Sequence, residues 1–148
     1  MSTYTQILYH IVFTTKNREN ALIPEMREEL YKYIWGFCRN KQCTLYRING
    51  MEDHLHLLIS LHPQISLADF LHDLKLSCTQ WIKKENIFPS FFGWQSGYGA
   101  FTYAIRDKEL ISNYIKNQQE HHRRVSFMDE YRTLLAEAGI EIDERYFP

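Results

Sequence analysis

Apolar residues recur along the chain in two periods, and the switches between them divide it into elements. Residues 4–15 (YTQILYHIVFTT) are mostly β-branched, aromatic or aliphatic with no breaker, which predicts a buried strand. Alternation puts Gln6, Leu8, His10 and Val12 on one face and Ile7, Tyr9, Ile11 and Phe13 on the other. A basic loop, Lys16-Asn17-Arg18, follows. Pro24 suits the first turn of a helix running to about Asn40, where Met26, Leu30, Tyr33, Ile34 and Phe37 recur at three and four residues. Residues 43–49 (CTLYRIN) predict a second strand, joined through the polar turn Asn49-Gly50-Met51-Glu52-Asp53 to a third that Pro63 ends. Ser66 is a suitable N-cap for a helix to about Glu85, with Leu67, Phe70, Leu71, Leu74, Cys78, Trp81 and Ile82 on its packed face. In residues 94–104 (WQSGYGAFTYA) the second half predicts a fourth strand, and the two glycines imply a turn or a close backbone approach. Residues 107–122 predict a third helix with an acidic first turn and a basic end. A short helix from about Ser126 to Ala138 follows, stopped by Gly139, and then an extended tail.

Strand, helix, strand, strand, helix, strand is the order of the ferredoxin-like split βαβ plan. It predicts an α+β fold: a four-stranded antiparallel sheet with two helices on one face, plus a C-terminal helical segment. The first and third strands are central neighbours there, so His10 is expected near His54 or His56. At 148 residues, without repeats or linker composition, the chain is one domain, divisible into a core over 1–105 and a helical segment over 106–148.

Composition adjusts this at three points. Aromatic residues make up 15%, enough to supply stacking platforms for bases as well as core volume. The formal net charge of −1 argues mildly against a nucleic-acid partner, although a local basic patch can coexist with an acidic remainder. Cys38, Cys43 and Cys78 are odd in number and lack C-x-x-C spacing, as expected of small buried residues in a reducing compartment. No run reaches transmembrane length and the N-terminus carries no signal pattern, so a cytoplasmic protein without membrane contact is expected.

The candidate chemistry lies in Asp53-His54-Leu55-His56-Leu57-Leu58-Ile59. On a strand, His54, His56 and Leu58 share one face while Leu55, Leu57, Ile59 and Leu61 face a core. Two imidazoles side by side can place two nitrogens on one divalent cation. On the helix predicted over 107–122, Tyr114, Gln118 and His121 fall on one face at i, i+4 and i+7. Read alone, a hydrogen-bonded histidine pair and an ordinary half-buried tyrosine explain these residues as well.

His54-Leu55-His56 followed by Tyr114-x-x-x-Gln118 resembles the HUH-type single-tyrosine transposases of small bacterial insertion sequences and their REP-associated relatives. The stretch from His10 to Arg18 resembles that family's opening. Trp94-Gln95-x-x-Tyr98-Gly99-Ala100-Phe101 resembles the segment before its last strand, and Gln118-x-x-His121-His122 with Phe127 and Glu130 the end of its tyrosine helix. The resemblance implies a homodimer that binds folded single-stranded DNA ends such as hairpins, and composite active sites where the tyrosine helix is exchanged. It further implies a divalent metal, Mg²⁺ or Mn²⁺, held by His54, His56 and Gln118, with Tyr114 as the nucleophile that leaves a 5′-phosphotyrosine link.

The chemistry is coherent on its own terms. A phenol with a pKa of about 10 is a poor nucleophile at neutral pH, and a cation on the phosphate oxygens offsets developing charge. Lys16, Arg18, Lys75, Lys83, Arg123 and Arg124 are candidates to neutralise phosphates, and Trp94 and Tyr98 to stack bases. A two-histidine phosphodiesterase or ligase would need a second His-x-Thr/Ser pair, and neither His10 nor His62 begins one. A histidine-alternating nucleotide hydrolase would want histidine at Leu58. The remaining alternative is a non-enzymatic ferredoxin-like module that binds nucleic acid on an open, aromatic-rich sheet face.

Overall fold

The computed structural model describes residues 2–148. Its core is a four-stranded antiparallel sheet built from β1 (Tyr9–Thr14), β2 (Thr44–Gly50), β3 (His54–Ser60) and β4 (Gly99–Phe101), in the spatial order β2-β3-β1-β4. With α1 (Pro24–Asn40) and α2 (Leu67–Glu85) as crossovers, this is the ferredoxin-like topology. Ile11, Phe13, Leu55, Leu57 and Ile59 from the sheet pack with Leu30, Ile34, Phe70, Leu71, Leu74 and Cys78 of the two helices, all buried. The helices start where the local chemistry puts them. Pro24 opens α1, and the Ser66 side chain accepts the Asp69 backbone N–H at 3.1 Å to cap α2. Cys38, Cys43 and Cys78 are free and buried. No helix among the described residues is long and apolar enough to cross a membrane.

The opposite face of the sheet is covered as well, which makes the molecule three-layered. Here lie α3 (Lys108–Lys116), the single turn α4 (Gln118–His121) and α5 (Phe127–Glu137). Val12 and Phe101 pack against Phe127, Tyr131, Leu134 and Leu135 of α5. Gly99 permits the close approach, since a Cβ there would meet the Tyr131 hydroxyl at 2.7 Å.

Three expected boundaries differ, each for a physical reason. The first strand starts at Tyr9, not Tyr4, because its partner β3 ends at Ser60 and Tyr9 pairs with Ile59. The fourth strand is only three residues long, and Trp94 contributes a lone bridge to Thr15. The helix expected over 107–122 is interrupted at Asn117, because Asn49 of β2 donates its side-chain N–H groups to the carbonyls of Ile115 and Lys116, both at 3.0 Å. That bond ties the end of α3 to the sheet edge.

The hairpin that delivers β3 has no room for a side chain at Gly50, where a Cβ would collide with the backbone carbonyl of His54. Gly50→Ala is expected to lower the unfolding free energy by roughly 1–3 kcal/mol in urea denaturation; a change below about 0.5 kcal/mol would contradict that reading.

Candidate active site

The strand register assembles the site. On β3 the side chains alternate, so His54 and His56 both leave the α1/α2 core and face the C-terminal helices. Antiparallel pairing sets Val12 opposite His56 and His10 opposite Leu58. His10 then reaches diagonally, its Nε2 lying 2.8 Å from His56 Nδ1. His54 Nδ1 donates to the Asp53 carboxylate at 2.7 Å. His54 and His56 therefore each have Nδ1 engaged on the outside and Nε2 turned inward.

From above, the broken helix lowers its own groups onto the pair. Gln118 is fully buried, with Oε1 3.3 Å from His54 Nε2 and 2.9 Å from His122 Nε2. Its amide Nε2 donates to Glu130 Oε2 at 2.9 Å. The Tyr114 hydroxyl donates to that same oxygen. The other oxygen of Glu130 lies 3.1 Å from both His56 Nε2 and His122 Nε2. His121 Nε2 comes within 3.3 Å of Glu130 Oε2 but off the hydrogen-bonding direction, so it is left without a partner. Tyr114, Gln118 and His121 thus share a face despite the break, as the helical spacing predicts.

Glu130 is the residue to which sequence reasoning assigned no role. It sits at the centre of the cluster and is 2% exposed. Burial by itself would raise its pKa, but hydrogen bonds from His122 and His56 hold the carboxyl far below the usual range. A signal existed, because Glu130 lies on the apolar stripe Phe127, Tyr131, Leu134 of α5, where an unpaired carboxylate is costly. His122 and His10 were equally without a role.

The electrostatics follow from this packing. Burial pushes His56 down to about 4, partly opposed by Glu130, and takes His10 well below its ordinary value with help from His56. Burial would also lower His122, but its bond to Glu130 outweighs that and raises it. Burial and then the charge of Glu130 raise the Tyr114 phenol, which keeps its proton at neutral pH. The chemistry of the donors suits a divalent cation: His54, His56, His122 and Glu130 each offer a ligand atom within 4.8 Å of the others, and Gln118 adds an amide oxygen among them.

The residues considered for DNA are dispersed. Lys16, Lys83, Arg123 and Arg124 are exposed, the last two pairing with Glu120, and Arg18 is half-buried in the loop after β1. Lys75 is bound to the carbonyls of Gln95 and Gly97 at 2.9 and 2.6 Å, and Trp94 packs edge-on against Phe13 and Phe91. Tyr98 is exposed and lines a cavity of about 460 Å³ beside the site, floored by Val12 and Thr14 and walled by Phe127 and Tyr131.

A ferredoxin-like sheet carrying a buried His-x-His pair beneath a tyrosine helix defines a recognisable class. Residues 3–118 match the family described as "Transposase IS200 like". The ISDra2 transposase TnpA of Deinococcus radiodurans is 24% identical over 120 residues, covering 78% of this chain and 86% of its own. The transposase of insertion sequence element IS200 from Salmonella typhimurium is 26% identical over 126 residues, 78% of each chain. Among solved structures, a Deinococcus radiodurans protein assigned as a transposase superposes with a TM-score of 0.61 at 25% identity, over 80% of this chain and 95% of that one. A REP-associated tyrosine transposase bound to a REP hairpin shares the fold, with a TM-score of 0.62 at 17% identity over 84% of this chain and 76% of that one. The chain belongs to the IS200-like transposase family, and DNA binding, transposition and recombination are the activities that membership assigns.

The imidazole shifts set an acid limit on the metal-free protein. His10 and His56 stabilise the fold in their neutral form, fully above their unfolded value of about 6.5, and that contribution is lost as pH falls toward the folded value. His122 acts in the opposite sense, its contribution being present below about 6.5 and fading as pH rises through its raised value. The two lowered groups outweigh the one raised. The Tm of metal-free protein is expected to fall by more than about 5 °C between pH 7 and pH 5, with a flatter slope in His56→Asn; a constant Tm across that window would refute the assignment.

Proposed function

We propose that the protein is a single-stranded DNA transposase and nuclease that cuts and rejoins DNA by metal-assisted tyrosine transesterification. The observation that carries this reading is the convergence of Tyr114 and His56 on the two oxygens of one buried carboxylate, which brings the phenol to the histidine pair. His54, His56 and Gln118 hold a divalent cation, Mg²⁺ or Mn²⁺. When bound, it polarises the scissile phosphate and offsets the charge that develops there.

Tyr114 is the nucleophile. Its oxygen gives up its proton and forms a bond to phosphorus as the bond from phosphorus to the 3′-oxygen breaks, and the leaving 3′-oxygen takes up one proton in exchange, which leaves a 5′-phosphotyrosine and a free 3′-hydroxyl; one diester replaces another, so no nucleotide is consumed. Asp53 and His10 keep His54 and His56 in register by holding their Nδ1 atoms, and β2 holds the tyrosine helix through Asn49. Hairpin-forming DNA ends are the substrate class, in keeping with the REP hairpin carried by the structural relative. Lys16, Arg18, Lys83, Arg123 and Arg124 serve the phosphates and Tyr98 a base, with Lys75 and Trp94 shaping the loop that presents Tyr98. The protein works in the cytoplasm as a homodimer, and exchange of the tyrosine helix between protomers would rebuild the same constellation. The rival, a binding module with an open aromatic sheet face, has little to recommend it because α3 and α5 cover that face.

With pooled hairpin-forming single strands and Mg²⁺ or Mn²⁺, wild-type protein is expected to form a denaturant-resistant DNA adduct. Tyr114→Phe should reduce the adduct at least about a thousandfold while leaving DNA retention within about threefold, since no phosphate-neutralising charge is lost. An adduct that persists in Tyr114→Phe overturns the nucleophile. Sedimentation of the wild type at micromolar concentration is expected to show a dimer; a profile that stays monomeric removes the exchanged site.

A further inference from the structure

We infer that His122 and Glu130 are ligands of the same cation as His54, His56 and Gln118, so that the C-terminal segment completes the metal centre. This rests on the metal-dependent reading above and deepens it.

The first argument concerns hydrogens. His122 Nδ1 lies 2.9 Å from the Val125 carbonyl, which can only accept, so in a neutral ring that nitrogen carries the proton and Nε2 is a bare lone pair. The Asp53 carboxylate, also only an acceptor, fixes His54 in the same tautomer. The Gln118 amide is oriented by its N–H bond to Glu130 Oε2, which turns Oε1 toward both lone pairs. Glu130 Oε1 faces them too, 3.1 Å from His122 Nε2 and 3.6 Å from His54 Nε2. In the empty site a proton on His122 Nε2 can serve the bond to Glu130. With that proton displaced, two nitrogen lone pairs, an amide oxygen and a carboxylate oxygen surround one point, a set that a cation satisfies in the proton's place.

The second argument is spacing. Ligand atoms around a cation with bonds of about 2.1 Å stand roughly 3.0 Å apart at right angles and about 3.4 Å apart at tetrahedral angles. The Nε2–Oε1 contacts of the cluster run from 2.9 to 3.6 Å, and the ligand atoms of the two strand histidines, His122 and Glu130 all lie within 4.8 Å of one another. The third is the outer support: the Nδ1 atoms of His54, His56 and His122 are engaged by Asp53, His10 and Val125, the arrangement that fixes ligating imidazoles. The fourth is charge. The Glu130 side chain is 1% exposed, and among the described residues every cationic partner recorded for it is a histidine.

Metal-stripped full-length protein titrated with Mn²⁺, followed by the resonance of the free ion, tests the assignment without any turnover. Wild type is expected to take up a single ion, and Glu130→Gln and His122→Asn each to weaken Mn²⁺ binding at least about tenfold. If both variants bind within about twofold of wild type while His54→Ala abolishes binding, the two ligands are refuted and the His54, His56 and Gln118 site stands. If wild type takes up no ion, the underlying site falls with them. A readout on wild type alone guards against misfolded variants. Amide exchange across α5 is expected to slow when Mn²⁺ is added, and exchange unchanged by a saturating ion overturns the proposal.

Discussion

A buried carboxylate ringed by imidazoles is the constraint around which this molecule is arranged. Glu130 touches both strand-borne histidines, the buried glutamine and the tyrosine, and so joins the sheet, the tyrosine helix and the last helix at one point. An isolated charge at that depth would be prohibitive. It persists because every neighbour within reach can supply a proton or share a cation, and because removing one member would strand the rest. The apolar contacts of α5 with Val12 and Phe101 position the helix, but the carboxylate fixes its register over the site.

The sheet does the preparatory work. β3 is buried on both faces, so its alternation separates a hydrocarbon side, welded to α1 and α2, from a side that carries chemistry. Rigid placement follows, since the histidines ride on a strand paired on both edges. Their outer nitrogens are taken up by Asp53, one residue away, and by His10, across the sheet. Asn49 extends the same logic to the tyrosine helix. By capping its last carbonyls it ends α3 where Gln118 must turn inward.

Much of this was legible beforehand, for reasons that can be traced to particular residues. The two-residue period of β3 separates His54 and His56 from Leu55 and Leu57 without ambiguity, and Pro24 and Ser66 mark the starts of α1 and α2. The spacing of Tyr114, Gln118 and His121 survives the interruption because the break falls between turns. What local pattern could not reveal is long-range: the early end of β3 shortens β1, and Asn49 breaks the helix from 66 residues away. Glu130 was hidden for the same reason. Its oddity, an acid on an apolar stripe, is visible in α5, but its partners come from three other elements.

Family membership says what kind of reaction to expect, and the arrangement of side chains is what the proposed site rests on. The central claim we propose is that imidazoles, amide and carboxylate enclose a single cation, with the phenol beside it. Crystals grown with Mn²⁺ test it most directly through the ion's anomalous scattering. The expected result is one strong peak bounded by His54 Nε2, His56 Nε2 and Glu130, with the Tyr114 hydroxyl facing the same carboxylate. A peak at another place on the molecule, or none in crystals grown at saturating Mn²⁺, would contradict it.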